Sequence, residues 1–129
     1  MDAADPQACV RAFLDAMGDR TLEKAQALLA PGFWMEFPGP VRFTELEALV
    51  AWSKPRYLSI GKTYDRFESV VSHQQNGQTV VWCVGRLHGQ WPDGREFSGI
   101  RFVDRFTVKQ GKLLDQTVWN DLAETLQQT

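Results

Sequence analysis

Residues 79–120 read TVVWCVGRLHGQWPDGREFSGIRFVDRFTVKQGKLLDQTVWN. Three long runs rich in β-branched and aromatic residues are parted there by Asp93-Gly94 and Gln110-Gly111. A fourth run, roughly residues 63–75, joins them through Asn76-Gly77. Asn-Gly and Asp-Gly suit tight hairpins because both central residues accept positive φ. The stretch therefore predicts a four-stranded antiparallel meander. Its runs exceed the usual strand length of about 5–6 residues, so they are expected to twist and bend, with Gly85, Gly89 and Gly99 as the places for a bend or bulge.

Upstream of the meander the periodicity changes from two to 3.6. Asp5-Pro6 is a helix start, and Val10, Phe13, Leu14 and Met17 make one apolar face that ends at Gly18. Thr21 is expected to cap a second, shorter helix with Leu22, Ala25, Leu28 and Leu29 inward, stopped by Pro31-Gly32. Phe33–Phe37 reads as a short strand closed by Pro38-Gly39-Pro40. Thr44-x-x-Glu47 is a capping box, and Leu46, Leu49, Val50 and Trp52 or Ser53 give a third helix that Pro55 ends. Asp121-x-x-Glu124 opens a short C-terminal helix. Helices first and strands later point to an α+β fold, and 129 residues suffice for one domain with a real core, spanning 1–129.

Composition excludes several function classes. The net charge is −2 and no basic run reaches five residues, so nucleic acid is not the expected partner. No apolar stretch reaches the ~18–20 residues of a membrane helix, and MDAADPQAC does not read as a signal peptide. Cys9 and Cys83 read as reduced, buried thiols of a cytoplasmic protein, with a disulfide or a reactive thiol as the alternatives. Two widely separated histidines and no Cys/His cluster argue against a metal, and no dinucleotide, phosphate-loop or G-x-S-x-G signature is present. No cofactor is expected.

The layout resembles the nuclear transport factor 2-like superfamily and, within it, the SnoaL-like group related to polyketide cyclases and ketosteroid isomerase. Asp93-Gly94-Arg95, Phe102-Val103-Asp104-Arg105-Phe106, Gly111-Lys112-Leu113 and Trp119-x-Asp121-Leu122 carry the likeness. It implies a cone-shaped α+β barrel, in which a strongly curved antiparallel sheet wraps around three N-terminal helices. It also implies an apolar pocket for a small ligand and a homodimer through the sheet. Activities in the superfamily differ widely, so function has to be argued from the site.

Asp104 is the most informative polar residue. Ile100, Phe102, Phe106 and Val108 share one face of their strand, and Asp104 falls among them; Arg101, Val103, Arg105 and Thr107 take the other. A buried carboxyl has a raised pKa and suits a general acid or a donor to a developing oxyanion. The resemblance places Asp104 near an acid of ketosteroid isomerase. The alternative is an Asp at a bulge, or one paired with Arg86 or Arg101. The other groups of that enzyme do not carry over: Phe37 precedes Pro38 where its base would stand, and Phe13 lies near its tyrosine. Glu36 is a base only if the strand end twists. Val118 replaces an aspartate of limonene epoxide hydrolase, and His73 and His88 are out of register for the pair of scytalone dehydratase.

His88 shares a face with Val80, Trp82, Val84 and Arg86, apolar at one end and polar at the other, which would suit a proton shuttle at a pocket mouth. Trp34, Trp52, Tyr57, Trp82, Trp91 and Trp119 are candidate wall residues for a flat ligand, with the core or a dimer interface as the alternative. Phe37, Arg86, Phe102, Val118 and Asn120 complete the expected ligand contacts. The resulting expectation is a cofactor-free isomerase, cyclase or dehydratase acting on a ring-containing metabolite, with Asp104 and His88 as its catalytic pair. A non-catalytic binding or dimerisation module is the alternative.

Overall fold

The computed structural model describes residues 5–72 and 77–127. The first helix, α1 (Pro6–Gly18), starts as its sequence dictates. The Asp5 carboxylate accepts from the N–H groups of Gln7 and Ala8, and Pro6 occupies the first turn. Cys9, Val10, Phe13, Leu14, Ala16 and Met17 are its buried face. The chain leaves α1 through Arg20, which takes the left-handed conformation (φ 59°) and returns its guanidinium to the Met17 carbonyl at 2.6 Å. Helix α2 (Leu22–Gln26) is shorter than the sequence predicts, and its side-chain cap is missing. The Thr21 hydroxyl donates to the Ala16 carbonyl instead, and Leu29 already belongs to a strand.

That strand, β1 (Leu29–Phe37), runs through Pro31-Gly32, which was expected to end a helix. Gly32 takes a positive φ there, within a register shift against the neighbouring strand. Pro38-Gly39-Pro40 does not simply end β1. It turns the chain into β2 (Val41–Phe43), a short antiparallel partner that the sequence reading did not contain. Helix α3 (Leu46–Ser53) follows, with Glu45 rather than Thr44 at its cap and no side-chain cap bond.

The meander is present as β3 (Ser59–Val71), β4 (Gln78–Gln90), β5 (Glu96–Lys109) and β6 (Lys112–Asn120). Its first strand begins before residue 63. Gln110 and Gly111 both take positive φ, as the tight β5–β6 turn requires. Asn76 of the β3–β4 turn lies outside the described residues. Gly89 and Gly99 lie at a register shift between β4 and β5, and Gly85 borders another between β3 and β4, where Tyr64 pairs with Gly85 and Arg66 with Val84. At the chain's end, α4 (Leu122–Gln127) opens on Asn120, whose side chain accepts from the Leu122 N–H. Asp121, the expected cap, is held by Arg101 at 2.6 Å.

The strand order is β2-β1-β6-β5-β4-β3, antiparallel except for the parallel β1–β6 pair. The sheet curves, but β2 and β3 remain free edges, so the cone is open rather than closed into a barrel. Helix α1 lies in the hollow. Phe13 meets Phe33 of β1 and Phe106 of β5 at ring-centroid distances of 6.0 and 5.9 Å. The concave side carries the core, including Val81, Cys83, Leu87, Ile100, Phe102 and Phe106. Among the described residues no helix is long and apolar enough to cross a membrane.

Candidate functional site

Between α1, α3 and the concave face of the sheet lies a cavity of about 350 Å³. Its exposed lining residues, among them Asp19, Arg20, Pro38 and Arg56, form a rim. Buried residues such as Phe13, Phe102, Asp104, Gln116 and Val118 form its floor. The volume lies at the small end of the ~300–1,000 Å³ typical of ligand sites. One wall is an aromatic cluster: Trp52 of α3 lies 5.7 Å from Phe37 and 5.4 Å from Phe43 of the unexpected β2.

Alternation along β5 puts Asp104 on the concave face between Phe102 and Phe106, and it has no exposed surface. Among the described residues neither carboxylate oxygen has a partner at hydrogen-bonding geometry, and the same holds for Gln116 Oε1 on the neighbouring β6. Burial raises the Asp104 pKa from 3.8 to about 6, while the charge of Lys62 and the nearby Gln116 amide pull it back in part. Cys83, directly opposite on β4, is pushed up to about 12, by burial first and by Asp104 next. Arg86 and Arg101 do not neutralise Asp104. They pair with Asp65 at 2.8 Å and Asp121 at 2.6 Å.

The structure brings Phe37, Trp52, Tyr57, Phe102, Asp104, Val118 and Asn120 together around the cavity. The remaining expected positions lie elsewhere. His88 and Arg86 are exposed on the convex face, because Val81, Cys83, Gly85 and Leu87 take the concave positions of β4. The same alternation carries Trp82 outward, where it stacks on Trp119 at 6.2 Å. Trp34 lies under the Arg42 guanidinium, at 4.1 Å. His73 lies outside the described residues. Glu36 pairs with Arg42 across the β1–β2 hairpin and does not line the cavity.

Lys62 is among the lining residues that sequence reasoning missed, with Asp15, Tyr64 and Gln116. The expected strand began at 63, so the alternation Ile60-x-Lys62-x-Tyr64, which puts all three on one face, was cut off. Lys62 pairs in register with the buried Leu87, and its ammonium stands 5.4 Å from the centre of the Phe102 ring. Gly85 makes that arrangement possible: a Cβ there would stand 2.9 Å from the Phe102 ring and 2.1 Å from the Thr63 carbonyl oxygen. Nearer the rim, the Tyr64 hydroxyl reaches Asp15 at 3.4 Å, while Arg11 lies over the Tyr64 ring. Burial, then the Asp15 charge, raises the Tyr64 pKa. Among the described residues no cluster of His, Cys, Asp and Glu has a metal-binding arrangement.

Solved structures share this fold along nearly the whole chain. A nuclear transport factor 2-like protein of unknown function from Burkholderia pseudomallei superposes with a TM-score of 0.74 at 19% identity, covering 98% of this chain and 97% of its own. TerC, crystallised with polyporic acid, gives 0.75 at 15% identity, with coverage of 98% and 97%. IdmH of Streptomyces antibioticus, described as a candidate polyketide cyclase, gives 0.66 at 18%, with coverage of 96% and 97%. At such identities the likeness is one of fold. No curated protein matches the chain. The sequence profile of the SnoaL-like domain matches residues 10–116, and the chain therefore belongs to the SnoaL-like family of the nuclear transport factor 2-like superfamily.

Proposed function

We propose that this protein binds a small ring-containing metabolite in the cavity and moves a proton on it without a cofactor, as an isomerase, cyclase or dehydratase. One observation carries the reading: a carboxyl with no exposed surface and no hydrogen-bond partner among the described residues lies at the floor of a cavity lined by both apolar and polar side chains. A pKa of about 6 makes Asp104 mostly ionised at neutral pH yet easily protonated. It can take a proton from carbon beside a ring carbonyl and return it at another position, which is the two-way role general acid–base catalysis needs. The convex positions of His88 and Arg86 leave them no part in this step.

The second reading is a non-catalytic ligand carrier, favoured by the apolar Phe13 and Phe37 that line the same cavity. The two separate on isotope exchange. Enolisable bicyclic ketones incubated with the protein in deuterated water should gain deuterium beside the carbonyl, and Asp104→Asn should abolish the gain while binding persists. Equal exchange in both proteins would remove Asp104 from catalysis. We further propose a homodimer built on the convex sheet face and a cytoplasmic setting, which suits the free thiols of Cys9 and Cys83.

A further inference from the structure

Lys62 is the one cation on the inner part of this cavity, among the described residues. Arg20 is tethered to the Met17 carbonyl and Arg56 stacks on Trp52 at 4.2 Å, both at the rim. Among the described residues Lys62 has no carboxylate within ion-pairing distance, and its ammonium stands 5.4 Å from the centre of the Phe102 ring. The half-buried Lys62 ammonium is thus without an ion-pair partner at contact distance, although its charge acts on Asp104 through space. The fully buried carboxyl of Asp104, two residues along from Phe102, has no hydrogen-bond partner among the described residues.

We propose that Lys62 and Asp104 together form a recognition site for an acidic oxygen on the ligand (a carboxylic acid, enol or phenol) that binds with one proton shared between that oxygen and Asp104. The inference rests on the cavity being the ligand site and adds which ligands it takes. Charge counting leads to it. In the empty cavity, Lys62 carries one positive charge and ionised Asp104 one negative. A ligand anion brings a second negative charge into a space with low polarisability, and Lys62 can balance only one. One of the two acidic oxygens must therefore be protonated in the complex. The other groups facing this point do not change the count. Cys83 on β4 stays a neutral thiol, Gln116 on β6 is uncharged, and Asp15 with Tyr64 and Arg11 forms its own group nearer the rim. For an enolisable ligand the balance is the same. The proton leaves carbon for Asp104, the electron pair moves to the carbonyl oxygen, and the new oxyanion faces Lys62.

The test is titration calorimetry at pH 7.5 with 2-naphthoate and its neutral isostere 2-naphthamide, each in two buffers of different ionisation enthalpy. Wild type should bind naphthoate more tightly and take up about one proton per ligand, whereas naphthamide should bind without proton uptake. Lys62→Met should weaken naphthoate by about tenfold and leave naphthamide unchanged, as loss of a charged hydrogen bond would. Naphthamide binding also reports that the variant is folded, and Lys62→Gln serves if the Met variant is not. Asp104→Asn should bind naphthoate with no proton uptake. Naphthoate binding that ignores the loss of Lys62, or that takes up no proton in wild type, overturns the inference while leaving the cavity reading intact. If neither probe binds wild type, the cavity reading fails and this one fails with it.

Discussion

Asp104 has no exposed surface, and the cost of keeping it there depends on pH. Its pKa in the folded chain, about 6, lies above the ordinary 3.8. The folded state therefore holds its proton more tightly than the unfolded state does. The stability this lends is complete below about pH 4 and is lost as pH rises through about 6. The interval corresponds to about 3 kcal/mol. Asp104→Asn should consequently be more stable than wild type at pH 7 to 8, and the difference should shrink and vanish toward pH 4. The new amide also has an acceptor waiting, since Gln116 Oε1 is buried without a partner. Urea denaturation of both proteins across pH 4 to 8 gives the answer. A variant less stable at neutral pH would mean that an ion pair holds Asp104 in place.

At the level of elements, period-two alternation was enough to put Asp104 and Phe102 on one face, and the turn dipeptides gave the meander its order. Two things were hidden. Alternation separates two faces without naming the concave one, so the mixed face of Trp82, Arg86 and His88 read as a pocket wall. The smaller side chains Val81, Cys83 and Gly85 proved to face α1. Strand β2 and the start of β3 were missed because Pro38-Gly39-Pro40 and Pro55 read as breaks, although the first makes a hairpin. With the start of β3 went Lys62. The β3–β4–β5 layer also depends on Gly85, where a methyl would meet the Thr63 carbonyl and the Phe102 ring. Gly85→Ala should cost about 1–3 kcal/mol through overpacking. It should also weaken binding of cavity ligands, because Phe102 has to move toward the space they occupy. A variant of wild-type stability in urea would show that the strands relax freely at this point.

The convex face of the molecule carries a pair of stacked tryptophans. Trp119 is 49% exposed and stacks on Trp82, with Val103 beside it in register and Arg105 5.8 Å from the Trp82 ring centre. Such a patch framed by charges suits a two-fold contact. Sedimentation at micromolar concentration should find a dimer, and Trp119→Asp should give a monomer that retains its far-ultraviolet spectrum. A wild-type monomer would contradict that assembly. What joins the scales is the open cone: its curvature makes the cavity, α1 and α3 cover it, and β5 delivers one partnerless acid to its floor. The pH profile of deuterium exchange into an enolisable bicyclic ketone tests this most directly. The account expects a wild-type rate that rises with pH through a midpoint near 6 and then levels, as Asp104 ionises, and no enzymatic rate in Asp104→Asn. A rate that is the same in both proteins, or a midpoint below pH 4, would contradict it.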